Sequence, residues 1–488
     1  MSRSSYTKAS SLLWLAGVVF VLLMFVGSRT REPEASPKYL LFQLFTGTAD
    51  PRFLGDTDSL STPPNRAALL TVVQGIVAKL QVKGTAKHRL GFALGPIAFD
   101  HTDAEIVQLI DDGFAIAQQL GVAVAFHIDD SMFWGRAGLV GTHANIEWSD
   151  WKGTANTGRR IDWGVASTKL KPQMCFNSPE IVMLVKQRAA LIGRTIVKGM
   201  TTLQAVNRGY LFAGVIAGWE TQLGDDFDTG KSLGYCGMTN AGWNDKKLPP
   251  DLDAARVTLV HEFVRLWADS LSANGVPRDR LYSHIAFTPQ GLAAPTGSYA
   301  ASVHFALPEV AFGNYRPGFS TYPMMGTFDA IYRELAPPRV QQPWASAEGT
   351  NHVPDGSTGE KSMETYLGRI YNHGGVIATI FSWGVGGDAE KNNPFRLATE
   401  NPEAIGAYQK FLAGTDLVES PSQPFSLIAF SSMIGRIQAE LPAWIAAHPT
   451  QQTTAEDAMR RLDMAIRASD LQTADQIATE IITWLDRP

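Results

Sequence analysis

Short apolar runs alternate with longer stretches of helical periodicity from about Tyr39 to Asp416. This alternation is typical of repeated βα units around a parallel sheet. Eight strands are predicted: Tyr39–Gly47, Arg89–Ile97, Gly121–Asp129, Gly214–Glu220, Arg280–Phe287, Pro317–Pro323, Pro343–Gly349 and Gly375–Trp383. Eight units in about 380 residues predict an α/β fold of the (β/α)8 TIM-barrel type, with a doubly wound open sheet as the alternative.

Polar residues mark several of the helix starts between these strands. Thr102–Glu105 and Ser357–Glu360 have the spacing of capping boxes, and Ser178–Pro179 places a proline at the first helical position. The stretch Asp251–Asn274 repeats apolar residues at helical spacing, so we expect it to pack against the sheet.

The two ends of the chain differ from this central pattern. An uncharged apolar run from Ser11 to Gly27 follows Arg3 and Lys8. It predicts a single-span membrane anchor, with a cleaved export signal as the alternative. We therefore assign residues 1–38 to this segment and its linker, and expect the protein to be exported to the periplasmic or extracellular side of a membrane.

Residues 421–488 are alanine-rich and helical in pattern, so the barrel is assigned to residues 39–420. The helical region is either a cap packed on the barrel or a surface that binds another protein. Its core or partner-facing positions are Leu462, Ile466, Ile477, Ile481, Trp484 and Leu485.

Composition and net charge reduce the number of functional classes to which the protein could belong. The 488 residues are 45% hydrophobic and carry a net charge of -5 without an extended basic run, which argues against nucleic-acid binding. No cofactor is predicted. The two cysteines, Cys175 and Cys236, lie in stretches that the barrel would place in neighbouring loops, where they either pair or remain thiols.

Acidic and aromatic side chains concentrate where the predicted strands end. In a barrel these carboxyl ends converge on one mouth, where the loops form the site. The residues are His127, Asp129 and Asp130 on strand 3, Trp219 and Glu220 on strand 4, His284 on strand 5, Tyr322 on strand 6, Trp344 and Glu348 on strand 7, and Trp383 on strand 8. With Trp134 in a following loop, these tryptophans favour carbohydrate as the substrate, because indole faces pack on sugar rings.

Glu220 and Glu348 fall on opposite sides of the predicted mouth. Two carboxyl groups across a glycosidic bond can act as acid/base and as nucleophile. We expect burial beside Trp219 to raise the pKa of Glu220, as a general acid requires, and His284, Tyr322 and Asn351 to act as donors near Glu348. The competing interpretation is that either glutamate is an ordinary surface residue.

The arrangement resembles the retaining glycoside hydrolases of clan A, in which glutamates end strands 4 and 7 and a tryptophan ends strand 8, here in Phe381–Gly384. The resemblance implies Glu220 as acid/base, Glu348 as nucleophile and Trp383 as the floor of the subsite for the cleaved sugar. One position differs: that clan has asparagine before the acid/base glutamate, and this chain has Trp219.

The segment Phe126–Trp134 allows further roles. Alternation along a strand places His127 and Asp129 on one face, where Asp129 or Asp130 would bind sugar hydroxyls with support from His127. The alternatives are a catalytic aspartate or a metal ligand, although no partner motif such as HExxH accompanies it. The sequence thus predicts an exported glycoside hydrolase without a metal; the alternative is a non-catalytic glycan-binding barrel in an exopolysaccharide apparatus.

Overall fold

The computed structural model describes residues 37–46, 63–161, 168–286, 308–313, 315–321, 327–336, 342–350, 360–380, 401–419, 427–467 and 471–486. The predicted membrane segment, Ser11–Gly27, lies outside them. Within the described ranges, no helix combines the length and the apolar character needed to cross a bilayer.

All eight predicted strands are present and parallel. They are β1 Lys38–Phe45, β2 His88–Ile97, β3 Ala123–Ile128, β4 Phe212–Ala217, β5 Leu281–Ser283, β6 Gly318–Ser320, β7 Trp344–Gly349 and β8 Gly375–Ile380. Their order in the sheet is β5-β4-β3-β2-β1-β8-β7-β6. The two edges join, because Ser283 N donates to Arg316 O at 3.1 Å and Ile285 N donates to Gly318 O at 3.0 Å. The sheet is therefore a closed barrel, and the open-sheet alternative is wrong.

Strand alternation separates two layers of core. On β3, Phe126 and Ile128 belong to the core between sheet and helices, whereas Ala125 belongs to the core inside the barrel. His127 lies on the same face as Ala125, because side chains alternate along a strand. The barrel lumen is filled by Tyr39, Leu41, Ala93, Ala123, Ala125, Ala213, Ile216, Tyr282, Ala345, Ala347 and Ile377. The lumen is thus filled by packed side chains, and the buried acids and histidines lie beyond it at the carboxyl end of the barrel.

The described helices around the barrel are α1 Arg66–Leu80, α2 Asp103–Leu120, α3 Pro179–Ala205, α4 Tyr235–Asn240, α5 Leu252–Ala273, α6 Thr327–Leu335, α7 Met363–Tyr371 and α8 Pro402–Leu412. The capping box of Thr102 and Glu105 is present. Ser178 occupies the N-cap position of α3 ahead of Pro179, but its side chain makes no capping hydrogen bond and instead donates to Asn145. Helix α5 buries Leu259, Phe263 and Trp267 as its spacing predicts.

One predicted helix start is wrong. Helix α7 begins at Met363, and its capping box is formed by Ser362 and Thr365. Ser357 lies outside the described residues, and Glu360 forms an ion pair of 3.0 Å with the largely buried Arg369. The buried guanidinium thus has a counter-charge close to the start of α7.

The long insertions after β3 and β4 are joined to each other. The segment Arg159–Ile161 pairs antiparallel with Thr168–Lys169 on one side and with Asp225–Asp226 on the other. Cys175 of the first insertion forms a disulfide with Cys236 of the second, with Cα atoms 5.9 Å apart. The structure thereby decides between the two alternatives that the sequence left open for these cysteines.

Three helices follow the barrel: α9 Leu427–Ala447, α10 Gln452–Arg467 and α11 Leu471–Leu485. They pack on one another around their own hydrophobic cluster, in which Leu462, Ile477 and Ile481 are buried. Ile466, Trp484 and Leu485 are partly buried against the same cluster. These positions form a core as predicted, whereas the domain boundaries and a role in binding another protein stay predictions.

Candidate active site

The carboxyl end of the barrel gathers seven of the predicted site residues within or beside one buried polar cluster: His127, Asp129, Asp130, Trp219, Glu220, His284 and Glu348. The two glutamates are almost completely buried, with 3% of Glu220 and 2% of Glu348 exposed. Both lie inside the barrel end, so the interpretation as surface glutamates is wrong for both.

Glu348 reaches this cluster through an irregularity in β7. Ser346 pairs with Phe319 and Glu348 pairs with Ser320, so β7 holds one more residue than β6 at this point. The same extra residue appears against β8, where Ser346 pairs with Ala378 and Gly349 with Ile380. Strict alternation would place Glu348 on the helix face with Trp344, but such a bulge re-aims the side chain. Its Oε2 therefore lies 3.8 Å from His284 Nε2.

Glu220 lies just beyond β4, which ends at Ala217. Its φ is +52°, a left-handed conformation that costs a residue other than glycine on the order of 1–2 kcal/mol. Its Oε1 accepts a hydrogen bond of 2.8 Å from Ser320 Oγ on β6. The apolar run of β4 thus stops before Trp219 and Glu220, and a strained turn directs this acid back across the barrel.

A pair of buried histidines links the two glutamates. His127 Nε2 lies 3.0 Å from His284 Nδ1, and His284 Nε2 lies 2.8 Å from Ser320 Oγ. Burial lowers the pKa of His127 to about 3, although its hydrogen bond to Gly218 O raises it. Burial and the neighbouring His127 hold the pKa of His284 well below its ordinary value. Both rings are therefore neutral near pH 7, and neither supplies a positive charge to the site.

The neighbours of His127 determine which of its ring nitrogens carries the proton. His127 Nε2 lies 3.1 Å from Gly218 O, which only accepts, so Nε2 carries the proton. His127 Nδ1 is then an acceptor. Gln43 Oε1 lies 3.4 Å from it, so a hydrogen bond between the two side chains requires the Gln43 amide to be turned, with the NH₂ group that has no partner among the described residues facing the ring.

The tautomer of His284 follows from that of His127 and determines the hydrogen bonds that lead to Glu220. His284 Nδ1 faces the protonated Nε2 of His127, so the proton of neutral His284 is on its own Nε2. That N–H donates to Ser320 Oγ, and the Ser320 hydroxyl donates to Glu220. A chain of donors from β3, β5 and β6 thus ends on the Glu220 carboxyl.

Trp219 packs within this cluster. Its ring stacks on His127 with centroids 4.2 Å apart and an angle of 12° between planes. It also belongs to a small apolar cluster with Met132 and Leu170, against which Phe45 and Phe133 pack. The ring of Trp219 thus packs against other protein side chains, and its expected effect on the pKa of Glu220 stays a prediction.

The two aspartates after β3 have different partners. Asp129 Oδ1 accepts from Met132 N at 2.8 Å and from Phe133 N at 3.1 Å. Burial, with the charge of Asp130 adding to it, raises the pKa of Asp129 to about 7. Burial also raises the pKa of Asp130, against the hydrogen bond from Thr221.

A buried arginine faces these acids. Arg159, in the insertion after β3, is 2% exposed, and its Nη1 donates to Gln173 Oε1 at 3.0 Å. Burial lowers the pKa of the guanidinium. Three carboxylates act in the opposite direction: Asp129, Asp130 and Glu220. Since the histidines are neutral, Arg159 contributes positive charge to the acidic cluster.

Two predicted sugar-binding tryptophans lie elsewhere. Trp344 is the first residue of β7, at the amino end of the barrel, and its Nε1 donates to His373 O at 2.8 Å. Its assignment to the mouth is therefore wrong, because an apolar ring before a strand packs into the sheet–helix core. Trp134 is also buried in that core, where its Nε1 donates to Pro172 O at 3.2 Å, so it offers no open face to a sugar.

Some predictions lie outside the described residues: Tyr322, Asn351 and Trp383. Sequence reasoning missed Ser320 and Arg159. Ser320 lies on β6, and its position at a strand end was the available signal. Arg159 lies in an insertion, and only the pairing of Arg159–Ile161 with Asp225–Asp226 brings it to the acids. Across the described residues, no group of three His, Cys, Asp or Glu side chains could hold a metal ion.

No known protein family matches the chain, and no curated protein matches it in sequence. Among solved structures it is similar to the catalytic domain of β-amylase from Paenibacillus polymyxa, at 10% identity over 78% of this chain and 99% of that chain, with a TM-score of 0.46. A Bacteroidetes-affiliated GH5 cellulase is 12% identical over 79% and 97%, with a TM-score of 0.35. A D-psicose 3-epimerase is 10% identical over 77% and 99%, with a TM-score of 0.31. The assignment of the (β/α)8 fold rests on the closed ring of eight parallel strands described above.

Proposed function

We propose that this protein is a glycoside hydrolase that cleaves an oligosaccharide or polysaccharide. The observation that supports this most directly is the meeting of two buried glutamates from opposite sides of the barrel. Glu220 contacts Ser320 at 2.8 Å, Glu348 lies 3.8 Å from His284, and His284 contacts Ser320 at 2.8 Å. A pair of carboxyl groups at a barrel mouth is the minimum requirement of glycosidic hydrolysis.

We assign Glu220 as acid/base and Glu348 as nucleophile of a double displacement. In the first step Glu348 attacks the anomeric carbon while Glu220 gives its proton to the leaving oxygen. In the second step Glu220 takes a proton from water, which attacks the same carbon and releases Glu348. His284 connects the two assigned residues, because its Nε2 lies 3.8 Å from Glu348 Oε2 and donates to Ser320 Oγ, which in turn donates to Glu220.

The test is a glycan library exposed to the wild-type protein, Glu220→Gln and Glu348→Gln. Each variant should lose turnover by at least about 10³-fold while it keeps glycan binding, because the amide preserves shape but neither attacks nor transfers a proton. Glu262→Gln, an exposed glutamate on α5, is the matched control. Near wild-type cleavage by Glu348→Gln would remove Glu348 from the mechanism.

Two further results refine or replace the proposal. The anomer first released, followed by proton NMR, is retained in double displacement and inverted in a single displacement. If the wild-type protein binds glycans and cleaves none of them, the alternative of a non-catalytic barrel in an exopolysaccharide apparatus is favoured. The prediction that Trp383→Ala weakens product binding rests on the sequence alone.

We further propose that the protein is exported and anchored by its apolar segment from Ser11 to Gly27. The disulfide between Cys175 and Cys236 supports export, because such bonds persist in oxidising compartments. Membrane fractionation with protease accessibility tests this proposal. Recovery of the whole protein from the cytosolic fraction would contradict it, and a mature chain that begins after Gly27 would identify the segment as a cleaved signal.

A further inference from the structure

The turn that carries Glu220 is bound on both of its sides by one carboxylate. Asp130 Oδ1 accepts from the backbone N–H of Trp219 at 3.3 Å, and Asp130 Oδ2 accepts from the hydroxyl of Thr221 at 2.6 Å. Trp219 and Thr221 are the residues immediately before and after Glu220. Asp130 itself follows β3, so this contact joins two neighbouring strand ends.

The conformation of this turn requires such support. Glu220 has a φ of +52°, and Gly218 has a φ of +105°. A Cβ at Gly218 would lie 2.6 Å from Thr221 Oγ1, so the turn is also closely packed. If the turn relaxed to negative φ, the Glu220 side chain would swing away from Ser320, because φ sets the direction in which the side chain leaves the backbone. The hydrogen bonds of Asp130 oppose that relaxation.

We propose that Asp130 is a positioning residue, which acts through Thr221 and the Trp219 amide to hold Glu220 in its working place. The role assigned to Glu220 rests on the proposed function; the positioning of its carboxyl does not. This differs from the sequence-based expectation that Asp130 binds sugar hydroxyls, since its oxygens are occupied by protein donors, including Ser131 Oγ at 3.2 Å from Oδ1.

An aspartate is required here for a chemical reason. Two oxygens accept at once from donors on opposite sides of Glu220, whereas an asparagine has a single acceptor oxygen and would place an NH₂ group against one of the donors. The carboxyl group is buried, which raises its pKa, and its donors together with the nearby charge of Arg159 offset part of the loss of water. Neither Asp130 nor Thr221 needs to touch substrate for this role.

The sharpest test uses a matched pair at Thr221. Thr221→Val removes the hydroxyl and keeps the shape, and Thr221→Ser keeps the hydroxyl. We expect Thr221→Val and Asp130→Asn to lower kcat by roughly 10–100-fold while KM changes less than about threefold, as for a misplaced catalytic group. Thr221→Ser should stay within about threefold of the wild-type kcat. Thr195→Val makes the same substitution at a buried threonine of α3, whose hydroxyl donates to Leu191 O at 2.9 Å, away from the site; it is the control and should keep the wild-type kcat.

A second readout does not depend on hydrolysis. In crystal structures of Thr221→Val and Asp130→Asn, residue 220 should leave its left-handed φ or its carboxyl should move away from Ser320. These shifts support the positioning role even if the wild-type protein cleaves no glycan, in which case only the proposed function fails. An unchanged Glu220 in both variants overturns the inference, as does a wild-type kcat in Thr221→Val or an equal loss in Thr221→Ser.

Discussion

Ser320 Oγ donates a hydrogen bond of 2.8 Å to Glu220 Oε1, across 100 positions of sequence and from β6 to the end of β4. The same hydroxyl accepts from His284 Nε2 at 2.8 Å. Because Glu348 lies 3.8 Å from that nitrogen, Ser320 and His284 together connect the two carboxyl groups. The relative placement of the glutamates therefore depends on a serine and a histidine as well as on the strands that carry them.

Ser320→Ala should lower kcat by about tenfold, the equivalent of roughly 1.4 kcal/mol, because Glu220 loses a buried donor and His284 loses an acceptor. Steady-state kinetics on a cleaved glycan measure the effect. Ser346→Ala is a suitable control, since that buried hydroxyl bonds Thr321 and should affect thermal stability more than kcat. Equal losses of kcat in the two variants would assign Ser320 to packing alone.

His127 and His284 should remain neutral at pH 5, with the proton on Nε2 in both rings. An imidazole of ordinary pKa would be mostly charged at that pH, but burial lowers the pKa of His127 to about 3 and holds that of His284 well below its ordinary value. Nitrogen-15 NMR of the ring atoms, assigned with single histidine variants, reports charge and tautomer together. A charged ring at pH 5 or a proton on Nδ1 would refute the direction of the hydrogen-bond chain.

The ionisation of Glu147 should lower the free energy of unfolding as the pH rises. Burial raises its pKa from 4.5 to about 8, against hydrogen bonds from backbone N–H groups such as those of Gly237 and Cys236. A folded-state pKa above the unfolded one means that the native state binds the extra proton. The contribution of Glu147 to the free energy of unfolding is therefore fully present below pH 4.5 and falls by up to about 1.4 kcal/mol per pH unit between pH 4.5 and 8.

The matched variant for this effect is Glu147→Gln, which keeps one of the two acceptor oxygens and removes the ionisation. Its thermal midpoint should exceed that of the wild type above pH 8, and the two should converge below pH 4.5. Thermal denaturation across this pH range gives both curves. Parallel curves would show that Glu147 ionises as readily in the native state as in the unfolded chain.

The disulfide should stabilise the connection between the two insertions. Cys175 and Cys236 are separated by 61 positions, and closing a loop of this length contributes about 2–4 kcal/mol by constraining the unfolded chain. The double variant Cys175→Ser, Cys236→Ser should unfold at a lower temperature than the wild type. A reductant should lower the midpoint of the wild type and leave that of the variant unchanged; equal midpoints without reductant would contradict the contribution.

Local sequence pattern was sufficient for much of the fold. Period-2 alternation on β3 correctly predicted Ile128 toward the helices and His127 toward the lumen. The predicted sixth strand has a weak hydrophobic pattern, and it is nevertheless present as β6. A barrel of eight parallel strands closes only when all eight are present. The predicted helix start at Ser357–Glu360 was displaced, because α7 begins at Met363 with a capping box of Ser362 and Thr365 that the pattern did not single out.

The candidate site was predictable in its residue types and much less so in its geometry. Glu220 and Glu348 could be selected because carboxyl groups at strand ends are costly without a role. Trp344 was misplaced because an aromatic residue before a strand and one after it look alike in a short pattern. The contribution of Arg159 to the site could not be predicted. An irregular insertion has no periodicity from which its position relative to the strand ends can be inferred.

The amino-acid sequence by itself determined the eight βα units, the buried faces of their strands and the two acids that end β4 and β7, since these follow from local periodicity and from the cost of burying charge. Only the tertiary structure decided how those acids are used. The extra residue in β7 turns Glu348 inward, and the left-handed turn held by Asp130 directs Glu220 onto Ser320. Both depend on contacts between residues far apart in the chain, which local pattern does not encode.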